Sequence, residues 1–250
     1  MDLQLAKRVF SCIDNTTLAA TDNDATVGNF CRRTLDMRLA DGTSVAAVCV
    51  YPRFVGVASK ILSGSGIKVA SVAGAFPHGQ LPIALKVEEV KYAVGEGADE
   101  IDIVISRGLL LAGCDDAVCD EVAMLKESCQ GRKLKVILET CELPSPNVIK
   151  HATQLAIDGG ADFVKTSTGK STAGATPEAA EAMLRNVKNN VKFNKKIVGF
   201  KAAGGIRTIE DALIYAEMAK KMIGDNYIEN KTFRIGTSHL TESMFSLLTF

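Results

Sequence analysis

The sequence predicts an α/β protein, a single (β/α)₈ TIM barrel over residues 1–250. Eight short apolar runs recur along the chain, most of them followed by a longer segment of helical periodicity. Most runs begin about 30 residues after the one before, the length of a strand plus the crossover helix that returns the chain to parallel pairing. Unusual polar residues also stand near the carboxyl ends of many successive runs. In a barrel those ends converge on one mouth, whereas an open doubly wound sheet, the competing architecture, gathers its ligand at one strand-order switch point.

The runs follow in order. SCIDNT at 11–16 opens the series with Asp14 and Thr16 at its polar end, and AAVCVY at 46–51 carries Cys49. KVASVAG at 68–74 and EIDIVI at 100–105 come next; in the latter, alternation sends Ile101, Ile103 and Ile105 toward the helices and Asp102 into the barrel. LKVILET at 134–140 precedes DFVKTST at 162–168, IVGFKAAGG at 197–205 and FRIGTS at 233–238. Between the later runs, TPEAAEAMLRNVKN starts with Thr176 as N-cap and Pro177 at the first helical position, and TIEDALIYAEMAKKM repeats the design with Thr208 and Glu210. No linker or low-complexity tract divides the chain.

Two lysines stand where a solvated lysine does not belong. Lys165 directly follows the most apolar part of its run, and Lys201 follows Ile197-Val198-Gly199-Phe200. Alternation puts Phe163, Lys165 and Ser167 on one side and Val164 on the other, and the lysine side is taken as interior. With adjacent strands ~4.8 Å apart, the two ammonium groups are expected at ~6 Å, where an effective dielectric of ~20 gives a repulsion of ~3 kcal/mol, or about two pKa units. Desolvation acts in the same direction, bringing one lysine toward neutrality as a nucleophile for carbonyl carbon. The bland alternative is that each lysine snorkels past the strand end or pairs with a carboxylate.

Asp102, buried, must be paired or hydrogen-bonded: as a structural ion pair with a lysine, or as a general base working through a water. Asp14 reads either as a ligand for substrate hydroxyls or as a turn aspartate. Gly204-Gly205, Gly236-Thr237-Ser238 and Thr168-Gly169-Lys170 lie at three successive strand ends, where barrels often cradle a phosphate with backbone N–H groups. Cys49 reads as a small buried hydrophobe that could line the pocket.

Other functions are disfavoured. Lys plus Arg and Asp plus Glu both total 29, so no basic field attracts nucleic acid or an anionic membrane, and a small-molecule partner is expected. Seven cysteines, with no C-x-x-C pair, fit free thiols in a reducing compartment. The amino terminus lacks a secretory h-region and no run approaches the ~20 apolar residues of a membrane span, so a cytoplasmic protein is expected. His78, His151 and His239 are isolated and form no H-x-H or H-E-x-x-H pair, which disfavours a metal-dependent reaction.

Taken together, AAVCVYPRF at 46–54, FPHG at 76–79, GADEIDIV at 97–104, DFVKTSTGK at 162–170, VGFKAAGGIRT at 198–208 and RIGTS at 234–238 resemble the deoxyribose-phosphate aldolase family over nearly the whole chain. The resemblance implies a lyase that cleaves 2-deoxy-D-ribose 5-phosphate reversibly to acetaldehyde and D-glyceraldehyde 3-phosphate, without metal or cofactor. It implies an imine on Lys165, with Lys201 lowering the pKa of that lysine and Asp102 assisting proton transfer through water. The phosphate site falls on Thr168, Gly169, Lys170, Gly204, Gly205, Gly236 and Ser238, with Asp14, Thr16 and Leu18 near the sugar and Cys49 beside the pocket. A homodimer is in keeping with the family, although no stripe in the sequence marks an interface. The chain departs from the pattern at His239, where a second serine is common, at Ala19, where some members carry asparagine, and at its end, Phe250, with no tyrosine after Tyr227. Rival readings are another lysine-dependent phosphosugar aldolase or transaldolase, and a non-catalytic phosphosugar-binding barrel.

Overall fold

Eight parallel strands close on themselves in sequential order, β1 to β8, in a computed structural model that describes residues 2–194 and 197–249, the side chains at 193 and 194 excepted. The strands are β1 (Ile13–Thr16), β2 (Ala47–Val50), β3 (Lys68–Ala73), β4 (Glu100–Val104), β5 (Lys133–Ile137), β6 (Phe163–Lys165), β7 (Gly199–Ala203) and β8 (Phe233–Thr237). Each falls in or overlaps one of the eight apolar runs, so the fold is the (β/α)₈ barrel that the sequence predicts. Ten α-helices are present among the described residues. They are α1 (Leu3–Phe10), α2 (Asp24–Asp36), α3 (Val55–Leu62), α4 (Ile83–Gly95), α5 (Arg107–Leu111), α6 (Asp115–Ser128), α7 (Pro146–Asp158), α8 (Pro177–Asn189), α9 (Ile209–Met222) and α10 (Leu240–Thr249). None is long and apolar enough to cross a membrane. The terminal Phe250 lies outside the described residues.

Helix starts follow the local chemistry. The Thr176 hydroxyl accepts from Ala179 N at the head of α8, with Pro177 at the first position. At α9 the Thr208 side chain accepts from Asp211 N, and the Asp211 carboxylate answers the Thr208 backbone. Glu210 stands in the first turn as expected, and Asp211, at the third helical position, is the residue that reaches back to the cap.

Strands end three residues short of the apolar runs in two places, both at the mouth. β5 stops at Ile137, and Glu139 turns into the left-handed region at φ 53° before a short 3-10 turn over Thr140–Glu142. β6 ends at Lys165, so Thr166, Ser167 and Thr168 belong to the loop above the barrel. The loop starts beyond these strands, Leu138-Glu139-Thr140 and Thr166-Ser167-Thr168, are as buried as the strands themselves.

Two cores result from period-two alternation. Outward side chains such as Val48, Ile101, Ile103, Val136, Val164 and Phe200 pack against the helices in a large apolar layer. The interior splits instead: β2 and β3 contribute Ala47, Cys49, Ala70 and Val72 to a small apolar cluster, while β1, β4, β5, β6, β7 and β8 contribute buried charges. Beneath those charges Phe163 fills the floor opposite Gly199, where an added Cβ would stand 2.3 Å from the ring. Outside the barrel, Lys86 of α4 reaches Glu121 of α6 and donates to the Ser106 hydroxyl at 2.9 Å, a buried brace under the loop after β4.

Candidate active site

Strand register builds the site. Asp102 lies level with Lys135 across β4 and β5, and Lys165 level with Lys201 across β6 and β7. All four side chains point inward, as alternation requires, and all are buried. The Asp102 carboxylate is the hub: Oδ1 accepts from Lys135 Nζ at 2.8 Å, and Oδ2 accepts from both Lys165 Nζ at 2.8 Å and Lys201 Nζ at 2.7 Å. Below it, Asp14 takes Lys201 and Arg234 in close contacts and Lys135 at 3.1 Å. Glu100 closes the network, accepting from Lys135 at 2.7 Å and from both terminal nitrogens of Arg234 at 2.7 and 3.0 Å.

Four cations, Lys135, Lys165, Lys201 and Arg234, thus face three carboxylates, Asp14, Glu100 and Asp102. Burial penalises the surplus charge. The surplus falls on Lys165, which touches one carboxylate oxygen that it shares with Lys201, whereas Lys201 and Arg234 each bridge two carboxylates and Lys135 three. Burial accordingly pulls the Lys165 pKa below the ordinary lysine value, with the Lys201 charge adding to the shift and the pairing with Asp102 only partly opposing it. For Lys201, burial alone acts downward, but Asp102 and Asp14 outweigh it and hold the ammonium above its ordinary pKa. Asp102 is held well below the carboxylate range despite its burial, by Lys135, Lys165 and Lys201. Desolvation, rather than the mutual repulsion expected from the sequence, is the larger cause, and the network decides which of the two lysines it acts on.

Above this layer opens a pocket of about 480 Å³. Ten of the residues singled out in the sequence line it: Thr16, Leu18, Lys165, Thr168, Gly169, Lys170, Gly204, Gly205, Gly236 and Ser238. Lys165 forms its floor. Asp14, Cys49, Asp102 and Lys201 are fully buried beneath the surface rather than on the wall. Asp14 is no turn residue, since it lies within β1 and both its oxygens are engaged by cations. Cys49 packs among Ala47, Ala70, Val72 and Leu18, and burial raises its thiol pKa. Ala19 and His239, the two departures, both reach the pocket wall.

The loops after β6, β7 and β8 all line this pocket. Lys170 Nζ donates across the mouth to the Leu18 carbonyl at 2.5 Å. Ala175 N donates to the carbonyls of Ala203 and Gly204 at 3.1 and 3.0 Å, laying the loop after β6 on the glycine turn after β7. A Cβ on Gly174 would stand 2.1 Å from the Gly204 oxygen, so only glycine permits this approach. Arg33, Lys165, Lys170 and Arg207 line the pocket, and among the described residues no aspartate or glutamate does. In a chain of zero formal net charge, that local excess suits an anionic ligand. Among the described residues, no three His, Cys, Asp or Glu side chains gather as a metal site.

Sequence reasoning missed Lys135, Glu100 and Arg234, although the alternation that singled out Lys165 and Asp102 applies equally to them. Arg33 and Arg207 carry no comparable signal, since an arginine on a helix or after a turn is ordinary surface composition. A larger hollow of about 880 Å³ lies outside the barrel wall among Lys150, Arg185, Ile214 and Met218 of α7, α8 and α9; it is remote from the buried charge layer.

Comparison with known proteins agrees with this geometry. Residues 9–238 match the family described as DeoC/LacD family aldolase. A solved structure described as QR15, an aldolase, is 31% identical, with 95% of this chain and 96% of that one covered and a TM-score of 0.78. The deoxyribose phosphate aldolase from Aeropyrum pernix is 28% identical over 98% of this chain and 97% of that one, with a TM-score of 0.77. The N-acetylmannosamine-6-phosphate 2-epimerase from Clostridium perfringens, at 14% identity and a TM-score of 0.57, shares the fold alone. A family match that spans most of the chain, over a barrel with a lysine at the pocket floor, places the protein in the DeoC/LacD family of aldolases.

Proposed function

We propose that the protein is a class I deoxyribose-phosphate aldolase, cleaving 2-deoxy-D-ribose 5-phosphate reversibly to acetaldehyde and D-glyceraldehyde 3-phosphate without a metal or other cofactor. The observation that carries this reading is Lys165, the one incompletely paired cation of the buried layer, standing with a depressed pKa at the floor of a pocket lined by cations. A neutral amine attacks the open-chain aldehyde carbon; loss of water gives an iminium. The iminium draws in the electrons of the C2–C3 bond when the C3 hydroxyl loses its proton, leaving an enamine and releasing glyceraldehyde 3-phosphate. Protonation at C2 and hydrolysis then free acetaldehyde. Lys201, held as an ammonium, and the Asp102 carboxylate are the acid and base beside the imine, acting through a water where the reach is too long. Thr168, Gly169, Lys170, Gly204, Gly205, Gly236 and Ser238 take the phosphate, and Thr16 and Leu18 face the sugar.

The test is to incubate the protein with acetaldehyde or the sugar phosphate, reduce with borohydride and locate the adduct by peptide mass spectrometry. A stable adduct on Lys165 that is absent from Lys165→Ala supports the imine, and cleavage rates on a panel of phosphosugars then separate this substrate from those of other lysine-dependent aldolases. Binding of the sugar phosphate without an adduct would overturn the catalytic reading and favour a binding barrel.

A further inference from the structure

Glu139, at the exit of β5, combines two features that proteins rarely retain together. Its backbone is left-handed, φ 53° and ψ 63°, a region that glycine enters freely and a residue with a Cβ seldom does. Its side chain is also fully buried, and a buried carboxylate needs strong partners to replace water. Among the described residues no lysine or arginine forms an ion pair with it, and Arg107 of the preceding strand's loop pairs with Glu142 instead. The main partners of Glu139 all come from one loop. Thr168 donates its hydroxyl to Oε2 in a close contact, and Thr168 N points to Oε1 at 3.3 Å. Ser171 donates its hydroxyl to Oε2 at 3.0 Å, and Cys141 Sγ adds a weak contact at 3.9 Å.

The chemistry of these partners gives the arrangement a direction. The Thr168 hydroxyl spends its one proton on the Glu139 carboxyl oxygen. The Thr168 oxygen then turns a lone pair to Lys170 N, which donates to it at 3.0 Å. The backbone of Thr168-Gly169-Lys170 is fixed through that relay, and with it the lysine that spans the mouth to Leu18. Strained backbone at such a place is retained when the surrounding structure uses it.

We propose that Glu139 is a positioning residue for the anion-binding loop, setting residues 168–171 in the conformation that receives the phosphate of the substrate. The proposal rests on the reading of the pocket as a phosphosugar site, and deepens it: this carboxylate governs the discrimination between phosphorylated and unphosphorylated sugars without touching either.

The experiment compares wild type, Glu139→Gln and Ser171→Ala in two assays. Titration with inorganic phosphate needs no catalysis; Glu139→Gln is expected to weaken phosphate binding by about 10-fold, the scale of one lost charge-assisted hydrogen bond, and Ser171→Ala by less. In the cleavage assay the KM for 2-deoxyribose 5-phosphate rises by a similar factor, while kcat, cleavage of unphosphorylated 2-deoxyribose and borohydride trapping of acetaldehyde on Lys165 stay unchanged. Unaltered phosphate binding in Glu139→Gln, or an equal loss on both sugars, overturns the proposal. Should that variant fail to fold, Ser171→Ala decides, and wild-type phosphate affinity there counts against the loop-positioning role. Failure of the aldolase reading shows separately, as a wild type that neither cleaves the sugar nor traps acetaldehyde yet still reports the Glu139 effect on phosphate.

Discussion

Lys165 and Lys201 donate to the same oxygen, Oδ2 of Asp102, at 2.8 and 2.7 Å, so their nitrogens stand no more than 5.5 Å apart. At an effective dielectric of ~20, two unit charges at that distance repel by ~3 kcal/mol. Only Lys201 has a second carboxylate, Asp14, to hold its proton. The pair is therefore unequal, with the Lys201 pKa raised above the ordinary lysine value by its two carboxylates and that of Lys165 lowered by burial.

Replacing Lys201 by methionine should move the acid limb of the pH–rate profile upward. The sign follows from two effects that act together: repulsion is lost, and Asp102 turns more fully to Lys165, so the amine of Lys165 holds its proton to higher pH. At neutral pH the neutral fraction falls by ~10- to 100-fold and kcat/KM falls with it. A pH profile of kcat/KM, supported by borohydride trapping rates, measures this; an acid limb that stays in place or moves down rules it out.

The three buried carboxylates set the response to acid. Asp14, Glu100 and Asp102 are all held below their ordinary values, 3.8, 4.5 and 3.8. Each therefore contributes stability that is fully present above its unfolded pKa and is lost as pH falls toward the folded one. Below about pH 4 the unfolded chain binds up to three more protons than the native one at these sites, a slope of at most ~4 kcal/mol per pH unit. Urea midpoints measured from pH 6 to pH 3 should fall steeply in the lower half of that range. Glu100→Gln should be less stable than wild type by about 3–5 kcal/mol at pH 7, since it leaves Arg234 and Lys135 undercompensated. The double variant Glu100→Leu with Arg234→Met removes one charge of each sign and should recover much of the loss.

Legibility in the sequence tracked local geometry. Strand positions were readable because period-two patterning and strand-to-strand spacing are properties of the chain itself, and Lys165, Lys201 and Asp102 stood out as charges inside apolar runs. Lys135, Glu100 and Arg234 obey the same alternation, but Glu100 and Arg234 lie near the start of their strands and Lys135 closely follows Arg132 and Lys133, where a charge reads as the solvated end of an element. Their meaning comes from closure, which brings β4, β5 and β8 to one axis. The inequality of Lys165 and Lys201 was likewise out of reach, because it depends on Asp14, 187 residues from Lys201 in the chain. Glu139 was hidden for a related reason: its partners in the 168–171 loop belong to the next strand unit, and its backbone conformation has no signature in composition.

Gly174→Ala tests the seating of the two loops proposed to hold the phosphate. The new Cβ would stand 2.1 Å from the Gly204 oxygen and 2.2 Å from its carbonyl carbon, so backbone must part from backbone. The bonds from Ala175 N to Ala203 and Gly204 are lost in that movement, and the anion site opens. The KM for the sugar phosphate should rise by at least about 10-fold, the scale of one or two lost hydrogen bonds. Trapping of acetaldehyde on Lys165 persists. Unchanged KM would mean that the two loops are not required to touch.

Lys165→Met separates chemistry from stability most sharply. Removing the proposed nucleophile is expected to abolish cleavage, but it also takes the surplus cation out of the buried layer, leaving Lys135, Lys201 and Arg234 against Asp14, Glu100 and Asp102. A lysine whose folded pKa lies below its ordinary 10.5 binds its proton more tightly when unfolded, so its burial costs stability at neutral pH. That cost shrinks as pH rises toward 10.5, where the unfolded amine also loses its proton. Lys165→Met is therefore expected to be more stable than wild type by about 1–2 kcal/mol at pH 7, with the advantage narrowing toward pH 10, as befits a residue kept for activity at the expense of stability. Lys201→Met should go the other way, because it strips Asp14 and Asp102 of a shared cation. Parallel urea melts of the two variants at pH 7 and pH 9.5 read the difference, and a Lys165→Met protein less stable than wild type would remove the basis for assigning the surplus charge to Lys165.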